Sequence, residues 1–298
     1  MRVFVTGATG FVGSAVVREL IAAGHNVLGL ARSDASARSL TAAGAVVHRG
    51  SLEDLDSLRN GAAVADGVIH LGFIHDFSNY AAAAETDRRA IETLGAELLG
   101  SDRPLIVTSG TLIAAAKGIA TENDGPNPNF PRKSEEVAQT LMTQGVNASI
   151  LRLPPSVHGE GDHGFVPHII NIAREKGASP YIGDGSNRWP AVHRFDAAVL
   201  YRLVLEKRIT GTYHAVADEG VPTREIAEVI GRRLNIPVVS KSGQEAAEHF
   251  GWIGHFFGMA GPASSAITRE RTRWQTIQPS LIADIDAYYF EQPAAVHV

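Results

Sequence analysis

A doubly wound α/β fold, with helices on both faces of a parallel sheet and a smaller α+β lobe after it, is predicted by three observations. Short apolar runs alternate with amphipathic helical patterns through the first half of the chain, as right-handed β-α-β units require. The glycine-rich stretch Thr6-Gly7-Ala8-Thr9-Gly10-Phe11-Val12-Gly13 lies between the first apolar run and the first helical pattern. Beyond residue 157 the alternation breaks down, after Pro154-Pro155 and among glycines at 159, 161 and 164.

The elements follow in order. Arg2 to Val5 reads as a buried strand, and Ser14 to Ala23 as a helix with Val16 above Leu20 and Val17 above Ile21. Val27 to Ala31 is a second strand, a Ser/Ala-rich helix spans Ser36 to Ala43, and Ala45 to His48 is a third strand. A short helix from Leu52 to Arg59 precedes the strand Gly67 to Leu71. A long helix from Asn79 to Leu99 leads to the strand Leu105 to Thr108. A loop rich in Pro and Asn covers 121–131, followed by the helix Lys133 to Thr143 and the strand Ala148 to Leu153. In the second half, helices are expected at Val166 to Lys176, Ala197 to Glu206 and Arg224 to Leu234, and a strand at Thr212 to Ala217. Residues 243–277 resist assignment. These patterns predict a dinucleotide-binding domain over 1–157, to which about 190–210 returns, and a discontinuous substrate lobe over 158–298.

Composition narrows the function. The 298 residues are 44% hydrophobic with a net charge of −5 and no basic block, which disfavours nucleic acid and anionic membranes as partners. Cysteine is absent, which removes disulfides, thiol nucleophiles and Cys-ligated metals. No apolar run reaches the roughly 20 residues that span a bilayer, and the first strand begins at residue 2. A soluble, cytoplasmic protein, monomeric or homodimeric, acting on a small molecule, is the expectation.

The glycine stretch carries the first functional reading. Glycine tolerates backbone angles closed to other residues and lets a ligand approach the main chain. The helix start behind it offers unpaired N–H groups and a partial positive charge, suited to a pyrophosphate. Gly7, Thr9, Gly10, Phe11, Val12 and Gly13 are therefore expected to cradle a dinucleotide. Choice of nucleotide falls to the end of the second strand, Leu30-Ala31-Arg32-Ser33. An acidic residue there favours NAD, and an Arg accommodates a 2′-phosphate. Arg32, with Ser33 adding a hydroxyl, points to NADP(H). Ser51 and Leu52 are placed to flank the adenine, and Leu71, Gly72 and Phe73 to line the groove.

With these motifs goes a wider pattern: Val68-Ile69-His70-Leu71-Gly72, Val107-Thr108-Ser109-Gly110, Leu151-Arg152-Leu153-Pro154, His158-Gly159, and Gly183-Asp184-Gly185 ahead of Val192-His193 and Asp196. Together they resemble the extended short-chain dehydrogenase/reductase superfamily, also described as NAD-dependent epimerase/dehydratase. The resemblance implies a Rossmann fold, a nicotinamide cofactor with Pro154 among its contacts, and a C-terminal substrate lobe. It also implies a catalytic Ser or Thr after the fifth strand, then Tyr-x-x-x-Lys. Ser109 and Thr111 stand near the first position. The dyad is missing, because no Tyr occurs between Tyr80 and Tyr181. Arg132 falls near the Lys position and Pro128 near the Tyr position, with Lys133 the alternative if the register differs by one. Arg132 suits a ribose-holding cation but not an acid, since it stays protonated.

A carbonyl reduction needs a donor at the developing alkoxide. Ser109, Thr111, His75 and Tyr80 are the candidates, and His158 and His163 lie in the loop where the superfamily meets substrate. The spacing of His158, His163 and His168 suits no metal site, so none is expected. Trp252, Phe256, Phe257 and Met259 read either as a pocket wall, hence an apolar substrate, or as the core face of a helix. The leading expectation is an NADP(H)-dependent oxidoreductase with a non-standard proton donor. A non-catalytic NADP sensor and an epimerase or dehydratase are the alternatives.

Overall fold

The computed structural model describes residues 1–76 and 79–290. Strand β1 (Arg2–Thr6) runs into helix α1 (Phe11–Ala22), followed by β2 (Asn26–Ala31), α2 (Asp34–Ala42), β3 (Val46–Arg49), α3 (Leu55–Ala63) and β4 (Gly67–His70). Next come α4 (Tyr80–Leu98), β5 (Leu105–Gly110), a single 3₁₀ turn (Thr111–Ile113), α5 (Ser134–Thr143) and β6 (Ala148–Leu153). The remainder is β7 (Ser156–His158), α6 (Phe165–Lys176), β8 (Ser179–Ile182), β9 (Arg188–His193), α7 (Arg194–Lys207), β10 (Gly211–His214) and β11 (Asp218–Pro222). It ends with α8 (Thr223–Leu234), β12 (Val238–Lys241), α9 (Gly243–Phe250), α10 (Ile253–Phe257), α11 (Ala266–Thr272) and α12 (Leu281–Tyr288).

A seven-stranded parallel sheet, ordered β10-β6-β5-β4-β1-β2-β3, forms the centre. Side chains alternate across it. Val3 and Val5 join Val16, Leu20, Ala197 and Tyr201 on one face. Phe4 joins Leu58, Ile91, Leu94 and Leu141 on the other. Both faces are thus covered by helices, as parallel strands require. Connections leave β1 toward β2 on one side, while β4 lies on the other. That reversal opens a crevice at the strand ends, where doubly wound sheets bind ligands.

Helix α7 packs in the same core as β1 and α1, and β10 extends the sheet beside β6. A second core gathers Val166, Ile170, Trp189, Ile226, Ile230, Phe257 and Leu281. It lies among the small sheets β11-β9-β7 and β12-β8.

Local chemistry explains where elements start. Helix α1 begins at Phe11, three residues before the expected start at Ser14, because Gly10 takes the extended N-cap conformation. Helix α2 begins at Asp34 because the Ser33 hydroxyl caps the Ser36 N–H. In the unassigned stretch, Ser242 and Glu245 form a capping box that starts α9. Phe257 and Ile253 then enter the second core, whereas Trp252 stays half exposed against Phe165 and His168. The spacing 252, 256, 259 was ambiguous because α10 is only five residues long. Among the described residues, no helix is long and apolar enough to cross a membrane.

Candidate active site

The glycine stretch turns from β1 into α1 at the crevice. Gly7 has φ of +66°, and a Cβ on it would lie 2.7 Å from the Gly72 nitrogen. A Cβ on Gly13 would lie 2.0 Å from the Gly7 carbonyl oxygen. Two backbone crossings therefore exclude any side chain. The Gly10 N–H donates to the Gly7 carbonyl at 2.9 Å. Gly10 brings no side-chain cap to α1, so the first-turn N–H groups of Phe11, Val12 and Gly13 have no partner within the helix. A bare helix start beside a side-chain-free turn fits the pyrophosphate of a dinucleotide.

Leu71-Gly72-Phe73 follows β4 directly, and Gly7 packs against Leu71 and Gly72. Leu52 packs on Gly72, whose own Cβ would lie 2.9 Å from the Leu52 Cδ2. Ser51, Leu71 and Phe73 are partly buried, and Pro154 is buried just beyond β6. Arg32 is exposed. Ser33 caps α2 and also donates to Ser36 Oγ at 3.0 Å, and Thr9 Oγ1 reaches the same oxygen at 3.5 Å. Asp34, two residues after Arg32, pairs with Arg49.

A buried polar path connects this turn to the segment before α5. The Gly72 N–H donates to Thr6 Oγ1 at 3.1 Å, and Thr6 Oγ1 meets His70 Nδ1 at 2.8 Å. His70 Nε2 meets Asp87 Oδ1 at 3.2 Å. A neutral imidazole protonated on Nε2 satisfies every step, since Nδ1 then accepts from the Thr6 hydroxyl. Asp87 also receives Arg132 Nε at 3.3 Å and the Ser134 hydroxyl. Arg132 Nη2 donates to the Thr108 carbonyl at 2.8 Å, and its guanidinium lies 4.2 Å from the centre of the Phe73 ring. Burial pushes the Asp87 pKa up, but the Arg132 charge and the His70 and Ser134 bonds more than offset it and hold it below the ordinary carboxylate value.

The two hydroxyls at the end of β5 differ: Ser109 lies within the strand and Thr111 just past it. Ser109 donates its one proton to Glu135 Oε1 at 2.6 Å. Glu135 is clamped by Arg152, with Nε at 2.8 Å and Nη2 at 2.6 Å. Thr111 is 3% exposed, and its Oγ1 has no hydrogen-bond partner among the described residues. At the rim, Phe73 contacts His75 at 5.3 Å and Tyr80 at 5.7 Å, and Tyr80 meets Phe130 edge-on. His75 reaches solvent, yet partial desolvation, then the charges of Arg132 and His163, push its pKa down. Burial pushes Tyr80 up. His163 lies against Phe11 at 5.7 Å. His158 is buried on Asp284 at 2.8 Å, in the interior rather than in the crevice. Lys133 turns to Glu136 and the Pro128 carbonyl.

Asp87 and Glu135 were not singled out from the sequence. A signal existed for both. Asp87 falls on the buried stripe Ala83, Ala84, Ala90, Ile91, Leu94 of α4, and Glu135 on the stripe Ala138, Leu141 of α5. A charge on an apolar stripe marks a buried pair.

The family model described as NAD dependent epimerase/dehydratase matches residues 3–216. The chain belongs to that family. An uncharacterized protein of Schizosaccharomyces pombe is 52% identical over 97% of this chain and 100% of its own length. The 2-alkyl-3-oxoalkanoate reductase of Stenotrophomonas maltophilia is 26% identical, covering 81% of this chain and 78% of the reductase. The structure of dTDP-glucose 4,6-dehydratase from Streptomyces venezuelae, with NAD bound, superposes with a TM-score of 0.76 at 20% identity, over 97% of this chain and 96% of that one. That epimerase/dehydratase likeness at low identity concerns the fold.

Proposed function

We propose that this chain is an NADP(H)-dependent oxidoreductase that moves a hydride between nicotinamide and a carbonyl or alcohol carbon of a small, apolar substrate. The observation that carries the reading is Thr111, a buried hydroxyl just past β5 with no partner among the described residues, two positions after a hydroxyl whose proton is already committed. Buried polar groups are nearly always bonded, so an exception calls for a role. Here it supplies a hydrogen bond to the substrate oxygen as negative charge develops there.

Gly7, Gly10 and Gly13 with the N–H groups of Phe11 and Val12 hold the pyrophosphate. Arg32 meets the 2′-phosphate, and Asp34, two residues further on, is paired with Arg49. Arg132 keeps Nη1 outside the bonds it makes to Asp87, Ser134 and Thr108, so it has a donor for the nicotinamide-side ribose. The reduced nicotinamide supplies the hydride when bound. The proton comes from the rim, where His75 and Tyr80 both contact the Phe73 ring. Phe73, Tyr80 and Phe130 also form an aromatic wall, which suits an apolar substrate. The reductase name of the Stenotrophomonas relative supports the reaction class.

The test is NADPH consumption with a panel of small ketones and aldehydes. Turnover on any member supports the reading. Tight NADPH binding with no turnover across the panel sinks it and leaves the cofactor-sensing alternative, which the missing Tyr favours.

A further inference from the structure

We propose that Asp87 is a positioning residue for catalysis: it seats Arg132 for the cofactor and ties that seat to the backbone of the glycine turn. The proposal rests on the reading of the crevice as a nicotinamide cofactor site.

Asp87 is 1% exposed on the inner face of α4, while the next residue, Arg88, faces out and pairs with Glu85 and Glu92. Its carboxylate collects donors from three separate segments. His70 comes from the end of β4, Arg132 from the long loop before α5, and Ser134 from the first turn of α5. A buried carboxylate is costly unless charged and neutral donors surround it, and this one has both. Arg132 depends on it more than the reverse. The loop leading to Arg132 is pinned by isolated bridges, Ala114 with Pro126 and Ala120 with Ala263, but the last of these lies at Pro126, and the long side chain of Arg132 keeps its own rotamer freedom. Asp87, Ser134 and the Thr108 carbonyl remove that freedom, and Phe73 fixes its plane.

The contacts form a closed circuit. Gly72 donates to Thr6, Thr6 to His70, His70 to Asp87, and Asp87 accepts from Arg132, which lies on Phe73, the neighbour of Gly72. Gly72 is also the residue against which Gly7 packs without room for a Cβ. The seat of Arg132 and the floor of the cofactor turn are therefore held by one set of bonds. Loss of Asp87 frees both, though Asp87 itself touches neither cofactor nor substrate.

The experiment is a double-mutant cycle on the full chain, read by NADPH fluorescence titration. Asp87→Asn and Arg132→Gln are made singly and together. Asp87→Asn is expected to weaken NADPH binding about tenfold in the parent and less than about twofold in the Arg132→Gln background, since neighbours in one network are non-additive. An equal loss in both backgrounds marks a general weakening of the fold and overturns the proposal, as does no loss at all. Ser134→Ala removes one bond each from Asp87 and Arg132 without touching a charge. It serves if Asp87→Asn fails to fold, with an expected loss of about threefold that likewise vanishes in the Arg132→Gln background. A parent protein that binds no NADPH or NADH overturns the cofactor reading, and this proposal with it. A parent that binds normally with an additive cycle overturns the proposal alone.

Discussion

Replacing Arg152 with Met isolates the most demanding contact beneath the site. Arg152 and Glu135 are fully buried and joined by two charge-assisted bonds, and Glu135 also holds the Ser109 hydroxyl. Without the guanidinium, Glu135 becomes an unpaired buried charge, which costs about 3–5 kcal/mol. Unfolding entropy near the melting point is about 2.1 cal/mol/K per residue. Over 298 residues that comes to about 0.6 kcal/mol/K, so the melting temperature should fall by about 5–8 °C. The double variant Glu135→Leu/Arg152→Met removes the stranded charge. It still strands the Thr121 and Asp124 carbonyls that Arg152 satisfies, at about 1 kcal/mol each. It should therefore melt about 2–5 °C above the single variant. Calorimetry of the two proteins beside the parent is the assay. A single variant within about 2 °C of the parent, or a double variant no more stable than the single, refutes the account of Glu135 as a charge kept in place by Arg152.

Three further outcomes are expected. Thr111→Val should lower turnover by about a hundredfold while leaving NADPH affinity within about twofold, as removal of an oxyanion donor does; steady-state kinetics and titration together check it, and unchanged turnover removes Thr111 from the chemistry. Arg32→Ala should weaken NADPH about tenfold and leave NADH unaffected, because only the 2′-phosphate meets the guanidinium; an equal change in both affinities contradicts that placement. Stability should decline as pH falls below about 6.5. Burial first, and then Arg152, push the His214 pKa down despite Glu122, and its Nε2 accepts from Arg152 Nη1. The neutral ring is the folded form, so its contribution is complete above the unfolded pKa and is lost toward the lower folded one, at no more than about 1.4 kcal/mol per pH unit. His75 and His193 are also pushed down, so His214→Gln should flatten the pH–melting curve only in part. A curve with the parent's slope shows that His214 does not contribute.

The sequence by itself determined the turn and the elements from β1 to β6. Strand and helix periods announce themselves locally, and Gly7 and Gly13 announce a crossing that no side chain fits. Membership of the NAD dependent epimerase/dehydratase family agrees with that pattern. Boundaries were less legible, because a cap decides them: Gly10 begins α1 at Phe11, ahead of the apolar pairs. Only the tertiary structure decided how the hydroxyls and charges are shared. In the chain Ser109 and Thr111 look equivalent, yet one proton is committed to Glu135 and the other has no partner among the described residues. Asp87 and Glu135 look like ordinary surface acids of two helices, but each is met by donors 17 to 47 residues away. Periodicity says which face of a helix is buried, while a hydrogen bond depends on which other segment arrives there. That is settled only when the sheet has brought β4, β5, β6 and the loop before α5 to one edge of the crevice.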